Sequence, residues 1–243
     1  MALASTLLTC AAVFVGALTQ RMTGLGFALV AAPLLVVVAG PVQGVLLGNV
    51  LSAMLCVIVL ASVWRQIWWR RALLMIAPAL VTVPIGAWVT RRVPTPLLLI
   101  VVGAVALVAV LMAAASSRVR LLPGRIGAVV GGGLSGFMNA TAGVGGPMLA
   151  AHALSDRWPR DTFVATGQLF LLVLNLLSIT TKGVPHVSLV VWAGVLIALA
   201  LGAACGHVLG PKVPAGAGRR LVLILAAIGS AAAVVRGVLA LHG

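Results

Sequence analysis

The stretch GFMNATAGVGGPMLAAH, residues 136–152, interrupts an almost continuous apolar sequence with glycines and with the polar residues Asn139 and Thr141. A helix that faces lipid has little use for these residues. Non-helical backbone inside a bilayer is tolerated only where protein or a water-filled cavity satisfies its polar groups. The stretch therefore predicts a break between two helices at membrane depth.

The composition places the whole chain in a membrane. Of its 243 residues, 63% are hydrophobic and 7% are charged, and the mean hydropathy is +1.26. Such a chain has too little polar surface to cover a soluble globule. Runs such as Val42–Ser62 and Phe163–Thr181 reach the roughly 20 residues that cross about 30 Å of hydrocarbon. We expect an all-α polytopic membrane protein with one transmembrane domain over residues 1–243.

Ten apolar segments follow one another in two groups of five. They cover about residues 3–19, 24–39, 42–62, 72–90, 97–115, 126–138, 143–154, 162–181, 187–209 and 221–241. Shifting the first group by 119 positions superimposes glycines and polar residues of the two groups. The matched pairs are Gln20 with Asn139, Gly24 with Gly143, Gly26 with Gly145, and Asn49 with Gln168. This register predicts internal repeats at about 3–116 and 121–241.

The basic residues predict the orientation of the chain. Because each group contains an odd number of segments, the second repeat is expected to be inverted, as in many secondary transporters. Eleven of the fifteen lysines and arginines other than Arg21 then fall on one side, which the positive-inside bias makes cytoplasmic. Those eleven are Arg65, Arg70, Arg71, Arg118, Arg120, Arg125, Arg157, Arg160, Lys212, Arg219 and Arg220. Both termini are predicted to lie outside.

Two segments of the second group are too short to cross a bilayer. As helices, 126–138 and 143–154 would span about 20 and 18 Å, which predicts a re-entrant hairpin with its tip at Met138–Gly143. The corresponding first pair is longer and either forms a hairpin with its tip at Thr19–Gly24 or crosses fully. Inversion would bring the two tips together near mid-membrane. The second helix of each hairpin would then direct its N-terminal N–H groups into a cavity suited to an anion.

Arg21 strengthens the expectation of an anion. Near the midplane an ionised side chain costs roughly 3 kcal/mol unless it faces a cavity or a partner. The two acids of the chain, Asp156 and Asp161, lie in a connection beside Arg157 and Arg160 and are expected to form a solvated cluster there. A substrate anion would be the partner of Arg21. If the first pair crosses fully, Arg21 lies instead at the cytoplasmic surface. A separate alternative is that Gly143, Gly145 and Gly146 serve only close helix packing.

The motifs GLGFALVAAPLL (residues 24–35) and AGVGGPML (residues 142–149), with RVP at 92–94 and KVP at 212–214, resemble the TauE/SafE family of bacterial inner-membrane anion transporters. The resemblance covers nearly the whole chain. It implies secondary transport of sulfite, sulfoacetate or a related organosulfonate in the bacterial inner membrane. The first motif lacks the third glycine of the second. The candidate substrate-binding residues are Gln20, Arg21, Thr23, Gly24, Gly26, Asn49, Asn139, Thr141, Gly143, Gly145 and Gln168.

Other functions have little support in the sequence. The basic residues lie in short connections, which argues against nucleic-acid binding. Neither a catalytic constellation nor a metal-ligand pattern can be assembled by spacing, so we expect no enzyme, no cofactor and no bound metal. His152 is the candidate for proton coupling. A membrane accessory protein is the alternative to a transporter. The expected partners are the bilayer and a small anion, and a homo-oligomer is compatible with the sequence.

Overall fold

A computed structural model describes residues 3–23, 26–115 and 120–242, which form helices and no strand. The helices are α1 (Leu3–Thr23), α2 (Gly26–Ala39), α3 (Pro41–Val63), α4 (Trp69–Arg92), α5 (Thr95–Ala115), α6 (Gly124–Ala142), α7 (Gly146–Ser155), α8 (Arg160–Lys182), α9 (Leu189–Leu209) and α10 (Ala215–His242). Single 3-10 turns follow α3 at Trp64–Gln66 and α9 at Gly210–Lys212. The ten predicted segments are thus ten helices in the described part of the chain.

Seven of these helices are long and apolar enough to cross a membrane by length and composition: α1, α3, α4, α5, α8, α9 and α10. Many of their large apolar side chains are exposed, including Ile58, Leu73, Val81, Leu111 and Ile197. Soluble monomers rarely expose contiguous apolar surface on this scale, whereas lipid covers it without cost. The predicted class, an all-α polytopic membrane protein, is confirmed.

Helix pairs pack closely through glycines. In α6, a Cβ atom at Gly132 would lie 2.3 Å from Met75 O of α4, and Gly86 of α4 faces Ala140 of α6. These contacts make α4 and α6 parallel. In the same way α1 runs parallel to α9, where Gly202 lies against Phe14. α5 runs antiparallel to α10. The small residues allow backbones to approach where larger side chains would separate them.

The two shortest helices, α2 and α7, each form an antiparallel hairpin with the preceding helix. In the first, Gly16 of α1 faces Ala31 of α2. In the second, Ser135 of α6 donates a hydrogen bond to Gly145 O at 2.8 Å. α7 has 10 residues and extends about 15 Å, half of a hydrocarbon core of about 30 Å. The second hairpin therefore returns toward the side on which α6 begins.

The predicted ends of these hairpins are wrong by about four residues. α6 continues to Ala142, so Met138–Ala142 is helical, and its 19 residues exceed the 13 expected. Asn139 bonds to another helix and Thr141 Oγ1 bonds back to Phe137 O, so neither residue breaks the helix. Gly143 ends it, with a φ of 72° and its N–H bonded to Asn139 O. Likewise α1 continues through the predicted tip as far as Thr23, and Gly24 lies outside the described residues.

The helix bundle has two opposite sides, each named after a residue that lies there. The side on which α4 and α8 end is called the Lys182 side. The side on which α7 ends and α8 begins is called the Asp156 side.

Candidate functional site

Five polar residues of α3, α6 and α8 form two neighbouring hydrogen-bonded sets, together called the polar cluster: Asn49 with Ser178, and Asn139 with Asn175 and Ser52. Asn49 Nδ2 donates to Ser178 Oγ at 2.7 Å, and Asn139 Nδ2 donates to Asn175 Oδ1 at 3.3 Å. Asn175 Nδ2 in turn donates to Ser52 Oγ at 3.1 Å. The three asparagines are at most 2% exposed. Polar groups buried in this way hold α3, α6 and α8 in one register.

The polar cluster continues along α8 as a stripe. Gln168, Asn175, Ser178 and Lys182 occupy positions i, i+7, i+10 and i+14 and therefore share one face of the helix. Asn175 lies about 22 Å from the start of α8 and about 10 Å from its end. These four residues, called the polar stripe, run from the interior of the bundle to the Lys182 side.

The N terminus of α7 lies beside the polar cluster. A Cβ atom at Gly145, the N-cap, would lie 3.1 Å from Asn139 Cβ and 3.0 Å from Leu174 Cδ1. No described side chain caps the first turn of α7, and Pro147 lacks an N–H group. The remaining N–H groups carry the partial positive charge of the helix dipole. This arrangement has the chemistry of an anion site.

Asn49 faces the break between α6 and α7. Its Oδ1 atom lies 3.7 Å from a Cβ placed at Gly143 and accepts no hydrogen bond. Ser178, its partner on α8, carries a hydroxyl that can donate or accept. Rotation of the Asn49 amide would preserve the bond to Ser178 and direct an N–H group toward Gly143. Asn49 can thus offer either an acceptor or a donor at this position.

The first hairpin differs from the second. Gln20 Oε1 accepts a hydrogen bond from Phe27 N at 3.0 Å, so Gln20 caps the start of α2, whose first residue is Gly26. The N–H that the sequence assigned to an anion has a partner within the chain. The side chains of Arg21 and Thr23 lie outside the described residues, although their backbones belong to α1.

The other predicted residues lie at different distances from the polar cluster. Thr141 is fully buried two residues before Gly143 and bonds within α6. Gln168 is buried on α8, about 10 Å from Asn175 toward the Asp156 side, and its Oε1 accepts no hydrogen bond. Ser52, Asn175, Ser178 and Lys182 were absent from the predicted site. Their helical spacing from Asn49 and Gln168 was the signal that could have found them.

Lys182 reaches back from the end of α8 to the second hairpin. Its Nζ donates to Ala140 O at 2.7 Å, close to the C terminus of α6. The neighbouring Arg91 of α4 donates through Nη2 to Thr181 O, in the last turn of α8. Cations at helix C termini satisfy carbonyls that have no partner within the helix and complement the dipole. Both basic residues thus hold the ends of neighbouring helices.

Asp156 closes the base of the second hairpin. It was expected to lie in a solvated cluster with Arg157 and Arg160, and this was wrong. Asp156 Oδ2 lies 2.8 Å from Arg71 Nη1 of α4, and Oδ1 accepts from Gly124 N at 2.7 Å. Burial raises the pKa of the Asp156 carboxyl. The Gly124 hydrogen bond and the nearby His152 and Arg71 outweigh burial, so the pKa lies below its ordinary value of 3.8.

Substitution of Asp156 is therefore expected to loosen the hairpin base in a pH-dependent manner. Asp156→Asn should lower the free energy of unfolding by about 1–3 kcal/mol at pH 7, because Arg71 and the Gly124 N–H lose a charged partner. Because the pKa of Asp156 is lower in the folded than in the unfolded protein, ionised Asp156 stabilises the fold at pH values above the unfolded pKa. This stabilisation is lost as the pH falls through the folded pKa. The difference in melting temperature between wild type and variant should therefore begin to shrink below about pH 4 and decrease further as the pH falls. A difference that stays constant or grows as the pH falls below about 4 would contradict this.

His152 lies at the last turn of α7, away from the break. Its Nδ1 is 2.8 Å from Leu122 O, which can only accept, so Nδ1 carries a proton. Its Nε2 lies 4.0 Å from Asp156 Oδ2, and its ring packs edge-on against Trp158. His152 therefore belongs to the Asp156 side of the hairpin, about 9 Å along α7 from the polar cluster.

The fold and this buried site define a helical membrane protein with a broken helical pair beside a polar core. A family model described as "Sulfite exporter TauE/SafE" matches residues 8–233. The chain belongs to this family of membrane exporters of sulfite and related sulfur compounds, as its motifs predicted. Neither a curated protein nor a solved structure matches the chain.

Proposed function

We propose that the protein is a secondary transporter of a small sulfur-containing oxyanion, either sulfite or an organosulfonate such as sulfoacetate. The anion binds near mid-membrane, at the N terminus of α7 and beside the polar cluster. The observation that carries this proposal is the uncapped first turn of α7 against the buried amides of Asn139 and Asn49. Backbone N–H groups and amide N–H groups together satisfy several oxygens of an oxyanion.

The charge distribution favours an anion over a cation at this place. The chain has two acids, Asp156 and Asp161, and both precede the second turn of α8. A cation carrier would need carboxylates within the membrane. The polar cluster itself offers neutral donors, which bind an anion through hydrogen bonds and can release it again. Such a site suits transport, and the distance of both carboxylates from the polar cluster favours a transporter over an enzyme that uses a carboxylate as general base.

We also propose that the chain consists of two inverted repeats. The pairing of α1 with α9 corresponds to that of α6 with α4 when the two groups of five helices are exchanged. The pairs α3 with α8 and α5 with α10 are unchanged by this exchange, because each contains one helix and its counterpart. Arg71 and Arg120 both contact the base of the second hairpin, which supports a cytoplasmic Asp156 side and termini outside. The expected location is the bacterial inner membrane.

The buried position of the polar cluster suggests how transport proceeds. Asn49, Asn139 and Asn175 are closed to solvent, so one group of helices must move against the other to open the site. Rocking of two repeats about a central site gives access from each side in turn. Such a movement must break the hydrogen bonds among α3, α6 and α8 and form others in their place.

A non-transporting accessory protein is the second candidate, because glycines do bring α4 and α6 into backbone contact. The test is flux of sulfite, sulfoacetate, sulfate and thiosulfate into proteoliposomes. Arg21→Ala and Asn139→Ala should keep normal expression and lose at least 90% of sulfite flux. A purely packing role predicts loss of folded protein instead. Absence of flux for every anion in the wild type would favour the accessory protein.

Proton coupling through His152 is a further part of this proposal. A protonated His152 would direct Nε2–H toward Asp156 and strengthen the hairpin base. His152→Ala should therefore abolish the dependence of sulfite flux on an imposed pH gradient. The measurement is flux at equal sulfite concentrations with and without the gradient. Retained pH-dependent flux in the variant would rule out His152 as the coupling residue.

A further inference from the structure

A cavity of about 310 Å³ lies on the Lys182 side, outside the polar cluster. Two cations, Arg91 and Lys182, and two hydroxyl groups, those of Thr90 and Thr95, line it together with three apolar side chains. A water molecule takes up about 30 Å³ of liquid, so the cavity has room for a small oxyanion and part of its hydration shell. Its walls therefore combine positive charge, hydroxyl groups and a suitable size.

No side-chain carboxylate of the chain neutralises these two cations. The two acids are Asp156 and Asp161, which lie just before and at the start of α8. Lys182 ends that helix, about 31 Å from Asp161 along its axis. An anion between the two basic groups is attracted by the Arg91 guanidinium and favours the protonated form of the Lys182 amine. The cavity therefore favours a bound anion.

Backbone carbonyls hold the cations in place and leave other donors available. Lys182 Nζ donates to Ala140 O and Arg91 Nη2 donates to Thr181 O. An ammonium has three donors and a guanidinium has five. Each group can therefore keep its helix-capping bond and still bind an oxygen of a ligand. Thr90 is 8% exposed and fixed by a bond to Ala87 O, so this part of the wall is preformed.

We propose that this cavity binds a small oxyanion of the transported class, as a second subsite through which the anion passes between solvent and the polar cluster. This inference rests on the proposed function. Lys182 belongs to the polar stripe, one helical turn from Ser178 and two turns from Asn175. An anion in the cavity thus has a continuous row of polar side chains leading to the N terminus of α7.

Lys182 also connects the cavity to the second hairpin. The same ammonium that faces the cavity bonds to Ala140 O, next to Asn139. An anion that binds this ammonium shares its positive charge with Ala140 O, and its arrival therefore weakens, without breaking, the contact between α8 and the end of α6. Occupation of the cavity and loosening of the hairpin tip are therefore linked through one side chain.

The variants Lys182→Met and Arg91→Gln test the subsite in proteoliposomes. Loss of a charge-assisted hydrogen bond of about 1.4–3 kcal/mol corresponds to about 10- to 100-fold in affinity. We expect the sulfite concentration for half-maximal flux to rise at least tenfold in Lys182→Met and severalfold in Arg91→Gln. Lys182→Arg should recover most of the loss. The matched control is Arg92→Gln: Arg92 lies over Trp88, does not line the cavity, and should leave the value within twofold.

A second measurement separates binding from helix capping. Sulfite should raise the melting temperature of the purified wild type more than it raises that of Lys182→Met. If both variants only lose stability, while wild-type affinity and stabilisation by sulfite persist, the cations are helix caps and the subsite is overturned. That result would leave the proposed function standing. Absence of sulfite flux in the wild type would instead overturn the proposed function itself.

Discussion

Gly132→Ala is expected to prevent the second hairpin from packing on α4 and to cause a large loss of folded protein. The new Cβ would lie 2.3 Å from Met75 O and 2.7 Å from Met75 Cα, which are backbone atoms of α4. Backbone cannot rotate away as a flexible side chain can. The two helices must separate, at a cost of about 3 kcal/mol or more. The melting temperature in detergent should fall by about 6–12 °C at ~2–4 °C per kcal/mol.

The next residue provides a matched control. A Cβ at Gly133 would have its nearest neighbours at 3.6 Å, the side chains of Pro78 and Thr82, which is ordinary contact. Gly133→Ala adds the same methyl group to the same helix and should leave the melting temperature unchanged or raise it by up to about 4 °C, since Ala favours helix by about 1 kcal/mol over Gly. Equal melting temperatures for the two variants would show that α4 and α6 do not meet as described.

The class of fold could be predicted from the sequence because it depends on composition. A chain that is 63% hydrophobic has to fold in lipid, and helix lengths follow from the thickness of the bilayer. The break at Gly143–Gly145 could also be located, because glycine supplies the φ of 72° that ends α6. The end of α6 was misplaced for a tertiary reason. Asn139 and Thr141 look like helix breakers until their partners Asn175 and Phe137 are known.

The candidate site was only partly accessible from the sequence. A repeated register identifies Asn49, Asn139 and Gln168, since it compares equivalent positions in two halves. It does not identify Asn175, whose counterpart at a shift of 119 is the apolar Cys56. Lys182 was missed for another reason. In the sequence, Lys182 is one of the basic residues in the connections between segments, and it was used only to predict the orientation of the chain. Its bond to Ala140 O depends on how α8 packs against α6, which the sequence does not reveal.

The two hairpins are not equivalent in the structure. The capped first turn of α2 and the uncapped first turn of α7 mean that the two hairpins do not offer equal anion sites. The polar cluster also includes Asn139 of α6 and has no member from α1, the counterpart of α6. We therefore expect one anion at the second hairpin rather than two related by the repeat. Substitutions near α7 should affect transport more than equivalent ones near α2.

Asn49→Asp is expected to abolish most transport by placing a negative charge beside the bound anion. The carboxylate has nearly the shape of the amide and can accept a hydrogen bond from the Ser178 hydroxyl, so packing is preserved. At about 5 Å and an effective dielectric constant of about 20, repulsion of two unit charges is about 3 kcal/mol. This corresponds to a loss of about 100-fold in affinity for sulfite. Flux should be measured at about pH 8, several units above the ordinary pKa of an aspartate carboxyl.

Two comparisons separate charge repulsion from the loss of an amide. Asn49→Leu removes the hydrogen bonds without adding charge and should reduce the sulfite affinity less than Asn49→Asp does. Gln66→Glu makes the same amide-to-carboxylate change at an exposed residue on the Asp156 side, about 25 Å away, and should leave affinity unchanged. Lowering the pH should partly restore flux in Asn49→Asp alone, because protonation removes the repelling charge. If Asn49→Asp transports sulfite as well as the wild type does, the anion does not bind beside Asn49.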